Sequence, residues 1–246
     1  MKISVCIATY NGAEYVKKQL DSILSQLGPD DEVIVSDDSS KDNTVEIIES
    51  LKDKRIIIFR NNTFASPIFN FENALKHAQG DVIFLADQDD LWVPEKVNRY
   101  LEELKVSDLV FSNVALIDES DNVFNNSFYI DKPSFSFLGT LWVNRIIGAT
   151  VAFKKDLLRK ALPFPSNIPM HDQWLAMLAI YYGKIGYIED PMLLYRRHAN
   201  NASFSAGKSR YSFTKKISFR FNLIISLFNR IVFYLLFILS GSICLR

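Results

Sequence analysis

The alternation of short apolar runs with amphipathic segments is the feature that most limits what this chain can fold into. Apolar runs at 3–8, 32–36, 55–59 and 81–86 predict four strands. Between the first two, Val16, Leu20, Ile23, Leu24 and Leu27 fall on one face of a helix, and 67–78 repeats the pattern. Such an order predicts an α/β protein with a mainly parallel sheet covered by helices.

The second half of the chain is less regular. It predicts a helix at 94–104 with Pro94 in its first turn, a strand at 109–114, a turn at 118–122 and a strand and helix within 145–162. A proline-punctuated loop then leads to a helix start at His171-Asp172-Gln173-Trp174. We expect one domain over 1–207 and a separate helical tail over 208–246.

Charge is distributed unevenly. The 246 residues include 28 basic and 28 acidic side chains, but no acidic residue follows Asp190. The chain therefore combines an acidic body with a basic tail. At 48% hydrophobic residues it can form a substantial core, which excludes a disordered or collagen-like chain.

The cysteines and the N-terminal segment indicate the compartment. Cys6 and Cys244 lack the spacing of a zinc site or a disulfide framework, which favours a reducing environment. The apolar run 3–8 is too short for the core of a signal peptide. We therefore expect the body of the protein in the cytoplasm.

Polar residues follow the predicted strands. Because ligands of parallel sheets bind at the carboxyl ends of the strands, these segments are the candidate site. They are Thr9-Tyr10-Asn11-Gly12, Asp37-Asp38-Ser39-Ser40, Arg60-Asn61-Asn62 and Asp87-Gln88-Asp89-Asp90.

The last of these segments places three carboxylates within four positions. Neighbouring carboxylates repel one another unless a cation or hydrogen-bond donors offset their charge. Mg²⁺ or Mn²⁺, held by one or two carboxylates and by phosphate oxygens of a ligand, is one solution. The alternative is a solvated turn in which Asp90 caps the helix near Pro94, and for Asp90 alone the cap is favoured.

The segment after the second strand also has two interpretations. Asp37 and Asp38 precede a run, 41–44, that is typical of a helix N-terminus, so local capping accounts for them. Together with Thr9 to Gly12, they can instead accept from the ring N–H of a nucleobase. Neither segment is a glycine-rich phosphate loop.

Five motifs follow one another along the chain: Ser4 to Gly12, Val35 to Ser40, Ala86 to Trp92, His171 to Trp174, and Tyr195-Arg196-Arg197-His198-Ala199-Asn200-Asn201. In this order they resemble the motifs of family 2 inverting glycosyltransferases with the GT-A fold. The resemblance covers about 1–201, and its last motif is similar to that of rhamnosyl-, galactosyl- and glucosyltransferases of surface polysaccharide synthesis.

The resemblance implies a role for each matching residue. Thr9, Tyr10 and Asp38 would hold the nucleoside, with Asp38 at the pyrimidine. Asp87 would lie near the ribose and Asp89 on the metal. Asp172 would be the general base. His198, with Arg196 or Arg197, would meet the diphosphate or the metal; the predicted metal ligands are thus Asp89, Asp87 and His198.

The chemistry agrees with these roles. A nucleoside diphosphate leaving group develops negative charge, which a metal ion and arginines stabilise, and an acceptor hydroxyl needs a carboxylate to take its proton. One departure from the family pattern is Gln173, which stands where an aromatic residue often follows the base. Asp172 can also be the N-cap of the next helix, and Trp174 is either a core residue or a platform for the acceptor.

The tail combines basic and aromatic residues at 208–220 with an apolar stretch at 231–245 that carries no charge before Arg246. The stretch is shorter than the roughly 20 residues that span a bilayer, and extending it back includes Arg230. A segment lying in the cytoplasmic leaflet is favoured over a short span, and a helix docked on the domain or on a second copy is the third alternative.

The sequence therefore predicts a glycosyltransferase that moves a sugar from a UDP- or dTDP-sugar to a glycan acceptor, lipid-linked in our interpretation, at the cytoplasmic side of the cell membrane. A membrane surface is an expected partner, a homo-oligomer is possible, and nucleic acid is not expected. The alternatives are a catalytically silent adaptor with the same fold and a sugar-phosphate nucleotidyltransferase, whose glycine-rich loop is missing after the first strand.

Overall fold

The structure is a computed structural model that describes residues 1–133, 135–198 and 212–239. The expected domain boundary at 207/208, Lys208, Arg210, Asn200, Asn201 and Cys244 lie outside these residues. The described strands are β1 (Ile3–Thr9), β2 (Glu32–Asp37), β3 (Ile56–Phe59), β4 (Val82–Asp87), β5 (Leu91–Trp92), β6 (Leu109–Ile117), β7 (Val123–Asn125), β8 (Ala152–Lys154) and β9 (Ile185–Arg196). The helices are α1 (Val16–Leu24), α2 (Thr44–Ser50), α3 (Pro67–His77), α4 (Lys96–Glu103), α5 (Phe137–Trp142), α6 (Lys155–Ala161), α7 (His171–Tyr182) and α8 (Phe213–Leu239), with a 3-10 turn at Gly148–Thr150.

The strands form a mixed sheet in the order β3-β2-β1-β4-β8-β6-β9-β5, and β7 pairs with β6. The first four strands are parallel, as predicted. Their register aligns Thr9 with Asp37 and Ala8 with Asp87. The polar ends of three strands therefore meet at one edge of the sheet.

Apolar residues of alternating positions fill two cores, one on each face of the sheet. One face packs against α1 and α4 through side chains such as Leu20 and Tyr100. The other packs against α3, α6 and α7 through side chains such as Phe71 and Trp174. The helical periodicity of the sequence thus identifies the buried faces correctly.

The second half of the sheet departs from the sequence prediction. Strand β9 is long and pairs in parallel with β6, yet no strand is predicted there. Glu189, Asp190 and Pro191 interrupt its apolar pattern, and register shifts at Ser112/Asn113 and Asn113/Ala115 accommodate the interruption. Pro94 precedes α4 by two residues, and the N-cap there is Glu95 in a left-handed conformation with φ 69°.

Helix α8 docks on the domain by one face only. Leu223 and Leu227 are buried in the core beside α7. The Arg230 guanidinium donates to the main-chain oxygens of Lys160, Leu162 and Pro163, at 2.6, 2.7 and 2.5 Å. The outer face stays exposed and apolar, and the part from Thr214 to Leu236 is long and apolar enough to cross a membrane. The described helix thus contacts the domain through one face and leaves its outer apolar face exposed.

The neighbouring residues Leu223 and Ile224 provide a test of this docking. Leu223 is buried and Ile224 is exposed. Leu223→Ala should lower the free energy of unfolding by about 2–3 kcal/mol, because it removes core contacts, whereas Ile224→Ala should change it by less than about 0.5 kcal/mol. Denaturant unfolding in mild detergent measures both, and equal effects would contradict the docked arrangement.

Candidate active site

The loops after β1 and β2 are joined through Asp37, the last residue of β2. The buried Asp37 carboxylate accepts hydrogen bonds from the Thr9 hydroxyl at 2.8 Å, the Ser40 hydroxyl at 2.6 Å and the Ser40 backbone N–H at 2.9 Å. The Thr9 side chain is therefore committed to a structural contact. Asp37 gives shape to the loop that carries the next residue, Asp38.

Tyr10 and Asp38 lie at the surface of the same edge. The Tyr10 ring is 56% exposed, while its backbone N–H and C=O pair with the Gln88 amide at 2.9 and 3.0 Å. Asp38 Oδ1 accepts from the Phe64 backbone N–H at 2.6 Å. Tyr10 thus lies beside the loop after β4, and Asp38 lies beside the end of β1, where its backbone N–H donates to the Thr9 carbonyl at 3.0 Å.

The acidic loop after β4 contains three carboxylates with different surroundings. Asp89 Oδ2 lies 2.8 Å from Nε2 of His198, so the predicted metal ligands Asp89 and His198 meet directly. Asp90 is completely buried, and its Oδ1 accepts from the backbone N–H of Arg196 at 2.9 Å. The expectation that Asp90 caps α4 is therefore wrong, because Asp90 anchors the end of β9 instead.

Burial and mutual repulsion disfavour charge in this acidic loop. They raise the pKa of Asp87 to about 7, where burial is the main cause and the charges of Asp89 and Asp172 add to it. Burial also raises the pKa of Asp90 well above its usual value. The Gly148–Thr150 turn donates to Asp172 through the Gly148 N–H and also packs against β4, the strand that ends at the acidic loop.

A buried lysine lies behind these carboxylates. The Lys96 ammonium group donates to the Ala149 carbonyl at 3.2 Å and stands 4.5 Å from the centre of the Trp92 ring. Burial lowers the pKa of Lys96 to about 7, and the charges of Asp90 and Asp87 oppose this effect. Nothing in the sequence singles out Lys96, because a lysine in an amphipathic helix normally lies on the solvent side.

Asp172 is held as an acceptor in the first turn of α7. Its Oδ1 accepts from Asn144 Nδ2 at 2.8 Å and from the Gln173 backbone N–H at 2.6 Å. Burial raises the pKa of Asp172 to about 6, although the hydrogen bonds from Asn144, Gln173 and Gly148 lower it in part. The N-cap of the helix is Met170, so the alternative of Asp172 as the N-cap is wrong.

The residues after Asp172 support the fold. Gln173 Nε2 donates to the Thr140 carbonyl at 2.7 Å, which ties α5 to α7. Trp174 is completely buried, and its indole N–H donates to the Ala161 carbonyl at 3.1 Å. Trp174 is a core residue, and the alternative of an acceptor platform is wrong.

Arg196 and Arg197 differ sharply in their surroundings. The completely buried Arg196 side chain donates to the carbonyls of Asp89 and Asp118 at 2.8 Å each, and it forms an ion pair with Asp121 at 2.5 Å. Arg197 is only partly buried, and its Nη1 has no hydrogen-bond partner within the part of the chain that the structure describes. Arg196 is therefore committed to the fold, whereas Arg197 Nη1 has no partner among the described residues.

Stability measurements can separate the two arginines. Arg196→Gln should lower the free energy of unfolding by about 3 kcal/mol or more, because it leaves Asp121 and two carbonyls without their donor. Arg197→Gln should lower it by less than about 1 kcal/mol. Denaturant unfolding of both variants provides the comparison, and a stable Arg196→Gln protein would contradict the structural role.

At this edge of the sheet, the described residues supply only part of the ligands that a metal ion needs. Among the described side chains, no group of three or more His, Cys, Asp or Glu residues is arranged to hold a metal ion. The pair formed by Asp89 and His198 supplies one oxygen and one nitrogen donor. Such a pair suits Mg²⁺ or Mn²⁺ only when a bound diphosphate completes the coordination.

Solved structures share this architecture and define it as a GT-A fold. The S. aureus TarS 1–349 complex with UDP-GlcNAc has a TM-score of 0.69, 23% identity, and coverage of 88% of this chain and 64% of its own. The mannosyltransferase PcManGT of Pyrobaculum calidifontis, in complex with GDP-Man and Mn²⁺, has a TM-score of 0.59, 21% identity, and coverage of 85% and 58%.

The family itself is shown by sequence. The model of glycosyl transferase family 2 matches residues 4–162, and the chain belongs to that family. An uncharacterized glycosyltransferase of Nostoc sp. is 30% identical, with coverage of 85% of this chain and 69% of the relative. The Escherichia coli UDP-Glc:alpha-D-GlcNAc-diphosphoundecaprenol beta-1,3-glucosyltransferase WfaP is 35% identical, with coverage of 66% and 64%. The chain thus spans less than two thirds of WfaP and of the solved TarS chain.

Proposed function

We propose that this glycosyltransferase moves a sugar from a UDP- or dTDP-sugar to a hydroxyl of a lipid-linked glycan acceptor by a metal-assisted single displacement that inverts the anomeric carbon. The observation that carries the proposal is the contact of Asp89 with His198 at 2.8 Å, which closes the end of β9 onto the acidic loop. In this proposal Asp172 deprotonates the acceptor, and the Asp89–His198 pair lies where the leaving diphosphate binds.

In this proposal the nucleoside lies along the ends of β1 and β2. Asp38, fixed by the Phe64 N–H, accepts from the ring N–H of the pyrimidine, and the exposed Tyr10 ring covers the base. Thr9 acts through its hydrogen bond to Asp37, and Asp87 lies at the ribose. The TarS structures with UDP and UDP-GlcNAc support a uridine nucleotide.

The diphosphate lies at the end of β9. Asp89 and His198 hold a divalent ion, Mg²⁺ or Mn²⁺, which when bound offsets the negative charge of the leaving group. Arg197 contributes its guanidinium directly, and Arg196 contributes by fixing the strand end through Asp89 and Asp90. The Mn²⁺ complex of PcManGT supports this assignment.

Asp172 takes the proton of the acceptor hydroxyl. Asn144, Gln173 and Gly148 aim the carboxylate by hydrogen bonds, and burial brings its pKa to about 6, which leaves it ionised at neutral pH but more basic than an exposed aspartate. The acceptor oxygen then attacks the face of the sugar opposite the leaving group. A single displacement of this kind inverts the anomeric carbon.

The acceptor and the membrane are linked in the proposal. WfaP is named for an acceptor on diphosphoundecaprenol, which supports a lipid-linked acceptor. The outer face of α8 is exposed and apolar, and α8 also carries the basic residues Lys215, Lys216 and Arg220. This combination suits the anionic cytoplasmic leaflet, where the protein would bind as a peripheral or monotopic enzyme. It would do so as a monomer or as a homo-oligomer.

The pH dependence of the reaction tests the role of Asp172. The rate should rise with pH through about 6, because the base must be ionised and its pKa is raised to about 6. Asp172→Asn should lower kcat by about 10²–10⁴-fold. Asn144→Ala should move the acidic limb to higher pH, since it removes a donor that lowers this pKa. Steady-state kinetics at several pH values measure these effects, and a profile that Asn144→Ala leaves unchanged would argue against Asp172 as the base.

Nucleotide affinity tests the metal ligands. Mn²⁺ should strengthen UDP binding to the wild type, and Asp89→Asn should weaken UDP binding in Mn²⁺ by at least about 10-fold. Glu119→Gln, which removes an exposed charge near the same edge, serves as the control. Calorimetry with and without Mn²⁺ provides the comparison. An equal gain from Mn²⁺ in both variants would remove Asp89 from the metal site.

A further inference from the structure

Helix α5 presents a small apolar surface to solvent. Leu138, Trp142 and Val143 are 66%, 56% and 52% exposed, while Thr140 and Leu141 are buried. Leu138 and Trp142 lie one turn apart on the same side of the helix. The segment Phe137–Trp142 carries no charge, so these exposed side chains form an uncharged apolar surface.

Helix α8 extends this surface and adds positive charge to it. The Arg220 guanidinium lies 4.6 Å from the Trp142 ring centre and donates to the Trp142 carbonyl at 2.7 Å. Ile217 and Ile224 are exposed and lie one turn before and after Arg220, on the row of side chains that borders α5. We call Leu138, Trp142, Val143, Ile217, Arg220 and Ile224 the α5–α8 surface.

The α5–α8 surface ends beside the proposed base. Asn144 follows Val143 directly, and its side chain lies 2.8 Å from Asp172. The surface therefore adjoins Asn144, the partner of the buried Asp172, at one end and continues onto α8 at the other. That arrangement fits an acceptor whose sugar and lipid are joined in one chain.

We infer that the α5–α8 surface binds the lipid-diphosphate end of the acceptor, with the hydrocarbon on Leu138, Trp142 and Val143 and the diphosphate at Arg220. The inference rests on the proposed function and specifies where its acceptor binds. Charge supports this occupant, because Lys216 lies one turn from Arg220 and no acidic residue follows Asp190 in the chain. A second copy packed through the same surface would bring two sets of these cations together.

Binding of polyprenyl diphosphates to the full chain in detergent micelles tests the inference. A long-chain polyprenyl diphosphate should bind Leu138→Ser/Val143→Ser about tenfold more weakly than wild type, because the variant loses apolar contacts. Val106→Ser/Phe124→Ser, which changes two equally exposed apolar residues elsewhere, should bind within about twofold of wild type. The uncharged polyprenol should bind the wild type more weakly than the diphosphate does.

The outcomes separate this inference from the proposed function. Unchanged affinity in Leu138→Ser/Val143→Ser, or equal loss in the control pair, overturns the assignment of the hydrocarbon site. Equal binding of polyprenol and its diphosphate overturns the assignment of Arg220 and indicates partition into an apolar surface only. UDP binding in Mn²⁺ is measured in parallel, and its absence from the wild type overturns the proposed function itself.

Discussion

The placement of carboxylates in a desolvated corner is the constraint on which this site depends. Asp87 ends β4 and Asp90 lies in the loop after it, and burial and mutual repulsion disfavour the ionised form of both. The charge of the buried Lys96 partly offsets this effect on both carboxylates, while the backbone N–H of Arg196 donates to Asp90. Asp89, the third carboxylate of the loop, is directed toward His198. The acidic loop thus contains one carboxylate that anchors the fold, Asp90, and one that meets His198, Asp89.

The site is assembled from parts that are distant in sequence. Strand β9 returns to the sheet beside β6 and carries its last residues to the acidic loop more than 100 positions earlier. The segment from Asn144 to Gly148 closes over Asp172 and supplies its hydrogen-bond donors. Both halves of the site therefore depend on the second half of the sheet, including the irregular strand β9 that contains Pro191.

The sequence predicted well whatever depends on local periodicity. The parallel strands β1 to β4, their covering helices and the start of α7 follow from apolar spacing, and the family follows from ordered motifs. It failed where long-range contacts override local signals. Asp90 has the features of a cap and is an anchor for Arg196, Trp174 is core, and β9 is hidden by polar residues in its middle. Lys96 carries no local signal of its buried role, and local capping by Asp37 does not predict its contact with Thr9.

The sequence by itself therefore determined the class of fold, the edge of the sheet at which polar residues gather, and the acidic and basic halves of the chain. The fold class follows from apolar residues that recur every 2 positions in strands and every 3.6 in helices, because this period shows which side of each element is buried. The charge distribution follows directly from composition. Tertiary structure decided which arginine is structural, which carboxylate meets His198, and which face of α8 docks. These three results depend on contacts between residues that are far apart in the chain. The folded structure brings those residues together, and only then are the burial and the charge of a side chain fixed.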